Sequence, residues 1–105
     1  MIRHCVFIRF RPTVSEPEKA GLMAEIAALK PRIPGFLAAH IGRNVSPETG
    51  MDKGYAEGFM VDFADAAARD AYLVDPEHQK TGARLVAAAV GGAEGILVYD
   101  LEVEN

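Results

Sequence analysis

Alternation of apolar and polar positions opens the chain. Ile2, Val6, Ile8 and Phe10 share one side of residues 2–10, and Arg3, Cys5, Phe7 and Arg9 share the other, the two-residue period of a strand. His4 is the single polar residue on the apolar side. From residue 16 the period lengthens. Leu22, Ile26 and Leu29 fall at spacings of four and three, the stripe of an amphipathic helix over residues 16–30. Ser15 and Glu18 form a capping box at its start, and Pro31, Pro34 and Gly35 end it. Residues 36–43 predict a second strand, and the polar stretch 44–54 a long hairpin loop. A third strand over 55–63 puts Tyr55, Phe59, Val61 and Phe63 on one face, with Glu57 as its only polar side chain. A helix over 65–73 breaks at Asp75-Pro76 and resumes to Gly91-Gly92, and residues 95–103 form the last strand.

The order β-α-β-β-α-β predicts an α+β, ferredoxin-like fold. Its four-stranded antiparallel sheet carries helices on one face, with the first and third strands as central neighbours. Residues 1–105 read as one domain. The uncovered face should present Cys5, Phe7, Met60 and either Leu97 and Tyr99 or their neighbours, too apolar for water. Stacking two such faces gives a dimeric α+β barrel, so a homodimer through the open sheet face is the expected assembly.

Composition sharpens this picture in a few places. Half of the residues are hydrophobic, which is rich for so short a chain and again favours burial against a second copy. A net charge of -4 without a basic cluster excludes nucleic acid as a partner, since phosphate binding needs a concentrated positive field. Cys5 stands alone, which excludes an internal disulfide and fits a reducing compartment. No stretch is apolar for long enough to span a membrane, and no leader is readable, so a soluble, cytoplasmic protein is expected.

Candidate chemistry gathers at Tyr72-Leu73-Val74-Asp75-Pro76-Glu77-His78. Asp75 as N-cap and Pro76 at the first helical position place His78 in the first turn, where the helix dipole favours the neutral imidazole. A neutral histidine accepts protons, and a tyrosine at the end of the preceding helix donates a hydrogen bond. His4 and Glu57 sit on the same sheet face if the strand parity holds. They would then pair as a polar floor beneath Tyr72 and His78, with Val6 and Phe59 as apolar lining. A metal reading would use His4, Glu57 and His78, but three different elements supply them and no local spacing supports it, so neither metal nor cofactor is expected.

Arg3-His4-Cys5-Val6-Phe7, Pro34-Gly35, Gly42-Arg43-Asn44-Val45-Ser46, Gly54-Tyr55 and Tyr72…Asp75-Pro76-Glu77-His78 together resemble the stress-responsive A/B barrel (Dabb) family, over nearly the whole chain. The resemblance implies a dimeric α+β barrel with a pocket between sheet and helices. It also implies catalytic roles for Tyr72 and His78 like those in a cofactor-free polyketide cyclase of the family, with His4 matching a first-strand pocket histidine. Where that cyclase has a further histidine, this chain has Glu57.

Two functions fit. One is a cofactor-free lyase, cyclase or isomerase acting on a small apolar carbonyl compound, with His78 as base and Tyr72 as hydrogen-bond donor. The other is a non-catalytic stress-response or ligand-binding dimer. A monooxygenase on the same scaffold ranks below both, because no residue specifically implies oxygen chemistry.

Overall fold

Seven residues of alternating strand, Ile2–Ile8, form β1 in the computed structural model, which describes residues 1–104. It is followed by helix α1 (Glu16–Ala27), a short 3-10 turn (Lys30–Arg32), β2 (Phe36–Arg43) and β3 (Glu57–Phe63). Helices α2 (Ala66–Val74) and α3 (Pro76–Ala88) come next, and β4 (Ile96–Glu102) closes the sheet. The strand order is β2-β3-β1-β4, antiparallel throughout, so β1 and β3 are the central pair.

Several boundaries differ from the sequence pattern for local reasons. The first strand stops at Ile8, and Phe10 follows as an isolated bridge to Ala89. α1 ends at Ala27 and its last apolar residue, Leu29, is buried from the tighter turn that follows. Tyr55 lies before β3, its ring under the Arg9 guanidinium at 4.8 Å. α3 ends at Ala88, ahead of Gly91 and Gly92, which take left-handed φ values. The capping box is present, with Ser15 Oγ accepting from Glu18 N at 3.2 Å.

The core lies between helices and sheet. Leu22, Met23, Ile26 and Leu29 from α1 and its turn meet Val6, Ile8, Phe59, Val61 and Phe63 from the central strands. The other sheet face carries Cys5, Phe7, Met60, Leu97, Tyr99 and Leu101. Cys5 stands opposite Met60 and Tyr99, and Phe7 opposite Leu97. Leu97, Tyr99 and Leu101 are each more than two-fifths exposed. Cys5 is fully buried even so.

The start of α2 is fixed by a close approach at Gly35. Its φ is +89°, and a Cβ there would stand 2.7 Å from the Ala68 Cβ. Gly35→Ala therefore combines left-handed strain with a clash against α2, and a loss of at least about 2 kcal/mol is expected. Urea unfolding checks this, and a midpoint equal to wild type would contradict the packing described here.

Candidate active site

Tyr72 and His78 are six residues apart, a spacing that would put them on different faces of one continuous helix. The break between α2 and α3 brings them together. Asp75 leaves the helical region at φ -64° and ψ 129°, as a residue before proline must. Its carboxylate accepts from Glu77 N at 2.9 Å and His78 N at 3.3 Å, capping α3 as the sequence predicts. Its second oxygen accepts from Arg32 at 3.1 Å, tying the elbow to the turn after α1. Burial works against the charged Asp75. Arg32 and the two backbone amides outweigh it and hold the carboxyl below its usual range.

Across this elbow the Tyr72 and His78 rings stand 4.0 Å apart between centroids, inclined at 41°. Tyr72 is fully buried, with Phe63 at 5.0 Å, His4 at 5.6 Å and Phe36 at 6.0 Å. Its hydroxyl and the His78 Nδ1 are both buried without a hydrogen-bond partner. Such groups are rare in folded proteins, and each costs about 1–3 kcal/mol. Burial pushes the Tyr72 phenol well above its ordinary value, so it stays a donor. Burial also lowers the His78 imidazole; the Leu73 carbonyl and Asp75 offset only part of this. His78 is thus a neutral acceptor at physiological pH, beside a phenol that keeps its proton.

His4 is 4% exposed on β1 and joins this group. Its Nδ1 lies 2.7 Å from Asp100 Oδ1 on β4, the residue directly opposite it. The other Asp100 oxygen accepts from Arg69 of α2 at 2.8 Å. The expected His4–Glu57 pair does not form. Glu57 shares the sheet face of His4, but it stands opposite Ile8, four residues further along β1, or about 13 Å at strand rise. It accepts instead from Lys19 of α1 at 3.0 Å. This offset also separates Glu57 from the other two members of the facial-triad set. Among the described residues no group of three or more His, Cys, Asp or Glu side chains is arranged to hold a metal.

Val6 and Phe59 are opposite one another in the core. The rings that enclose Tyr72 are Phe36 and Phe63, strand residues outside the site that the sequence predicts. Asp100 and Arg69 carry no sequence signal for this site, because nothing local marks a carboxylate on the last strand as the partner of a histidine on the first. Three grooves of about 460, 300 and 260 Å³ lie elsewhere. The largest runs along the uncovered sheet face past Phe7, Met60 and Leu97, and the second flanks the elbow past Arg32, Glu77 and Thr81. None of the three is lined by Tyr72 or His78.

The lowered His78 value has a sign that unfolding can test. Below the ordinary value of 6.5 the unfolded chain binds a proton at this position that the folded chain resists. Stability therefore falls as pH drops from 6.5 toward the lower folded value, by at most about 1.4 kcal/mol per pH unit. His78→Gln should flatten that part of the urea-unfolding profile relative to wild type. Parallel profiles would show that burial does not disfavour the charged ring.

Among the described residues no helix is long and apolar enough to cross a membrane. No curated protein matches the chain. Solved structures do. A dimeric ferredoxin-like protein of unknown function from Jannaschia sp. CCS1 is 38% identical, with a TM-score of 0.89 over 97% of this chain and 98% of that one. A protein of Arabidopsis thaliana is 24% identical, with a TM-score of 0.86 over 100% of this chain and 97% of the other. A hydroxynitrile lyase from Passiflora edulis shares the fold at 18% identity, with a TM-score of 0.82 over 98% and 93%. The family model for the stress responsive A/B barrel domain matches residues 2–103, and the chain belongs to that family.

Proposed function

We propose that the protein is a homodimeric, cofactor-free acid–base catalyst acting on a small, mostly apolar carbonyl compound, with a lyase, cyclase or isomerase outcome. The observation that carries this is the pair of buried, unpartnered polar atoms on touching rings, the Tyr72 hydroxyl and the His78 Nδ1. Their protonation preferences are opposite and complementary. Neutral His78 takes a proton from the carbon next to the carbonyl. Tyr72 donates a hydrogen bond to the enolate oxygen that develops, and the proton returns to carbon or to a leaving group at the end. Phe36 and Phe63 keep the surroundings apolar, which strengthens both interactions. The fold is shared with a hydroxynitrile lyase, so lyase chemistry is among the reactions this scaffold hosts.

The dimer part of the reading rests on the apolar uncovered sheet face and on the 38% identical relative described as dimeric. A second functional reading has its own observation. Tyr72 is wholly enclosed by packed rings, the arrangement of a structural core, and this favours a non-catalytic stress or binding dimer.

Proton abstraction separates the two. The wild-type protein is incubated in deuterium oxide with a panel of small aryl and alkyl ketones, and deuterium entry beside the carbonyl is followed by proton NMR. Exchange well above the buffer rate for at least one ketone is expected. No exchange across the panel, with no shift of the Tyr72 or His78 resonances, would leave the non-catalytic dimer as the better reading.

A further inference from the structure

A histidine can serve a site in two neutral forms, and the one present is set by what its other nitrogen touches. His4 touches a carboxylate. Asp100 is held below the usual carboxylate range because the hydrogen bonds from Arg69 and His4 outweigh the cost of its burial. An ionised carboxylate only accepts, so the His4 nitrogen 2.7 Å away must carry the proton. In the neutral ring the lone pair is then on Nε2, the nitrogen turned away from Asp100.

What keeps Asp100 in place is not its own strand. β4 is an edge strand, and the Asp100 side chain is a quarter exposed. Arg69 reaches it from α2, three residues before Tyr72, donating to Oδ2 at 2.8 Å while Oδ1 serves His4. The Arg69 Nε is held in turn by Asp70 Oδ1 at 2.9 Å. The helix that carries Tyr72 thereby also holds the carboxylate that orients His4.

We infer that Arg69 is a positioning residue: by gripping Asp100 it fixes His4 with the proton on Nδ1, leaving Nε2 as an acceptor beside the Tyr72 and His78 rings. The inference deepens the proposed acid–base reading, because an acceptor there suits a substrate that carries a hydroxyl near its carbonyl. Its test reads the ring itself, not turnover, so either proposal can fail without the other.

Nitrogen-15 NMR of histidine-labelled protein at neutral pH reports which ring nitrogen bears the proton. Wild type and Arg69→Lys should both show His4 protonated on Nδ1. In D100N the arginine, which only donates, claims the new amide's carbonyl oxygen and turns its NH2 toward His4. The His4 proton should then switch to Nε2. Adding R69M to D100N removes the grip, and a substantial Nδ1-protonated fraction should return. A wild-type His4 protonated on Nε2 overturns the inference without any variant being needed. So does a D100N protein that keeps the proton on Nδ1, or a double variant with the same complete switch as D100N.

Discussion

His78→Ala should lower the rate of proton exchange by about 10²- to 10⁴-fold, the range expected when a general base is removed. Tyr72→Phe should lower it by about 10²- to 10³-fold, as for loss of one donor to a developing oxyanion. The second variant carries the sharper signature. Its hydroxyl is buried without a partner and its ring fills the space among Phe36, Phe63 and His4. Removing one oxygen keeps the ring and removes the unsatisfied group, so stability should rise by about 1 kcal/mol. For a domain of this size that raises Tm by about 4–8 °C. A structural tyrosine has no reason to give lower activity and higher stability together. Deuterium exchange and thermal unfolding on the same samples check both halves. Exchange unaffected by either substitution would remove the catalytic role of this pair.

The same site shows how far a single sequence can be read. Elements and faces were legible, because alternation in β1 and β3 and the stripe of α1 follow from periods that any core imposes. The Tyr72–His78 meeting was legible too, since Asp75-Pro76 breaks the helix by local sterics alone. Register was not. His4 and Glu57 share a face, but which residue of β3 stands opposite His4 depends on where the long 44–56 connection lets pairing begin, and Val61 takes that place. The true partner, Asp100, comes from the strand farthest in sequence. Its face was ambiguous because an edge strand need not alternate cleanly. Glu57 did find a cation, as a half-buried carboxylate requires, but from α1 and not from the sheet.

For the homodimer proposed above, Leu97→Asp should shift the protein from dimer to monomer across the micromolar range. Leu97 stands opposite Phe7 on the uncovered sheet face, and Phe7 packs on Tyr99 with centroids 5.9 Å apart. In a two-fold assembly each copy presents the same patch, so one substitution introduces two carboxylates into one interface. An unpaired charge buried at such a place costs about 3–5 kcal/mol. Even a single charge would therefore weaken association by more than about a hundredfold, and two in proximity by much more. Arg3, on the same sheet face, offers no rescue. Arg3 is engaged by Asp62 at 2.7 and 3.1 Å, and Asp62 also meets His40 at 3.0 Å. The Arg3 bond holds Asp62 below the usual carboxylate range, so that cation is already satisfied. Sedimentation equilibrium over a concentration series measures the outcome, with circular dichroism to confirm the secondary structure. A Leu97→Asp protein as dimeric as wild type would place the interface elsewhere, and the exposed apolar face would then need another occupant.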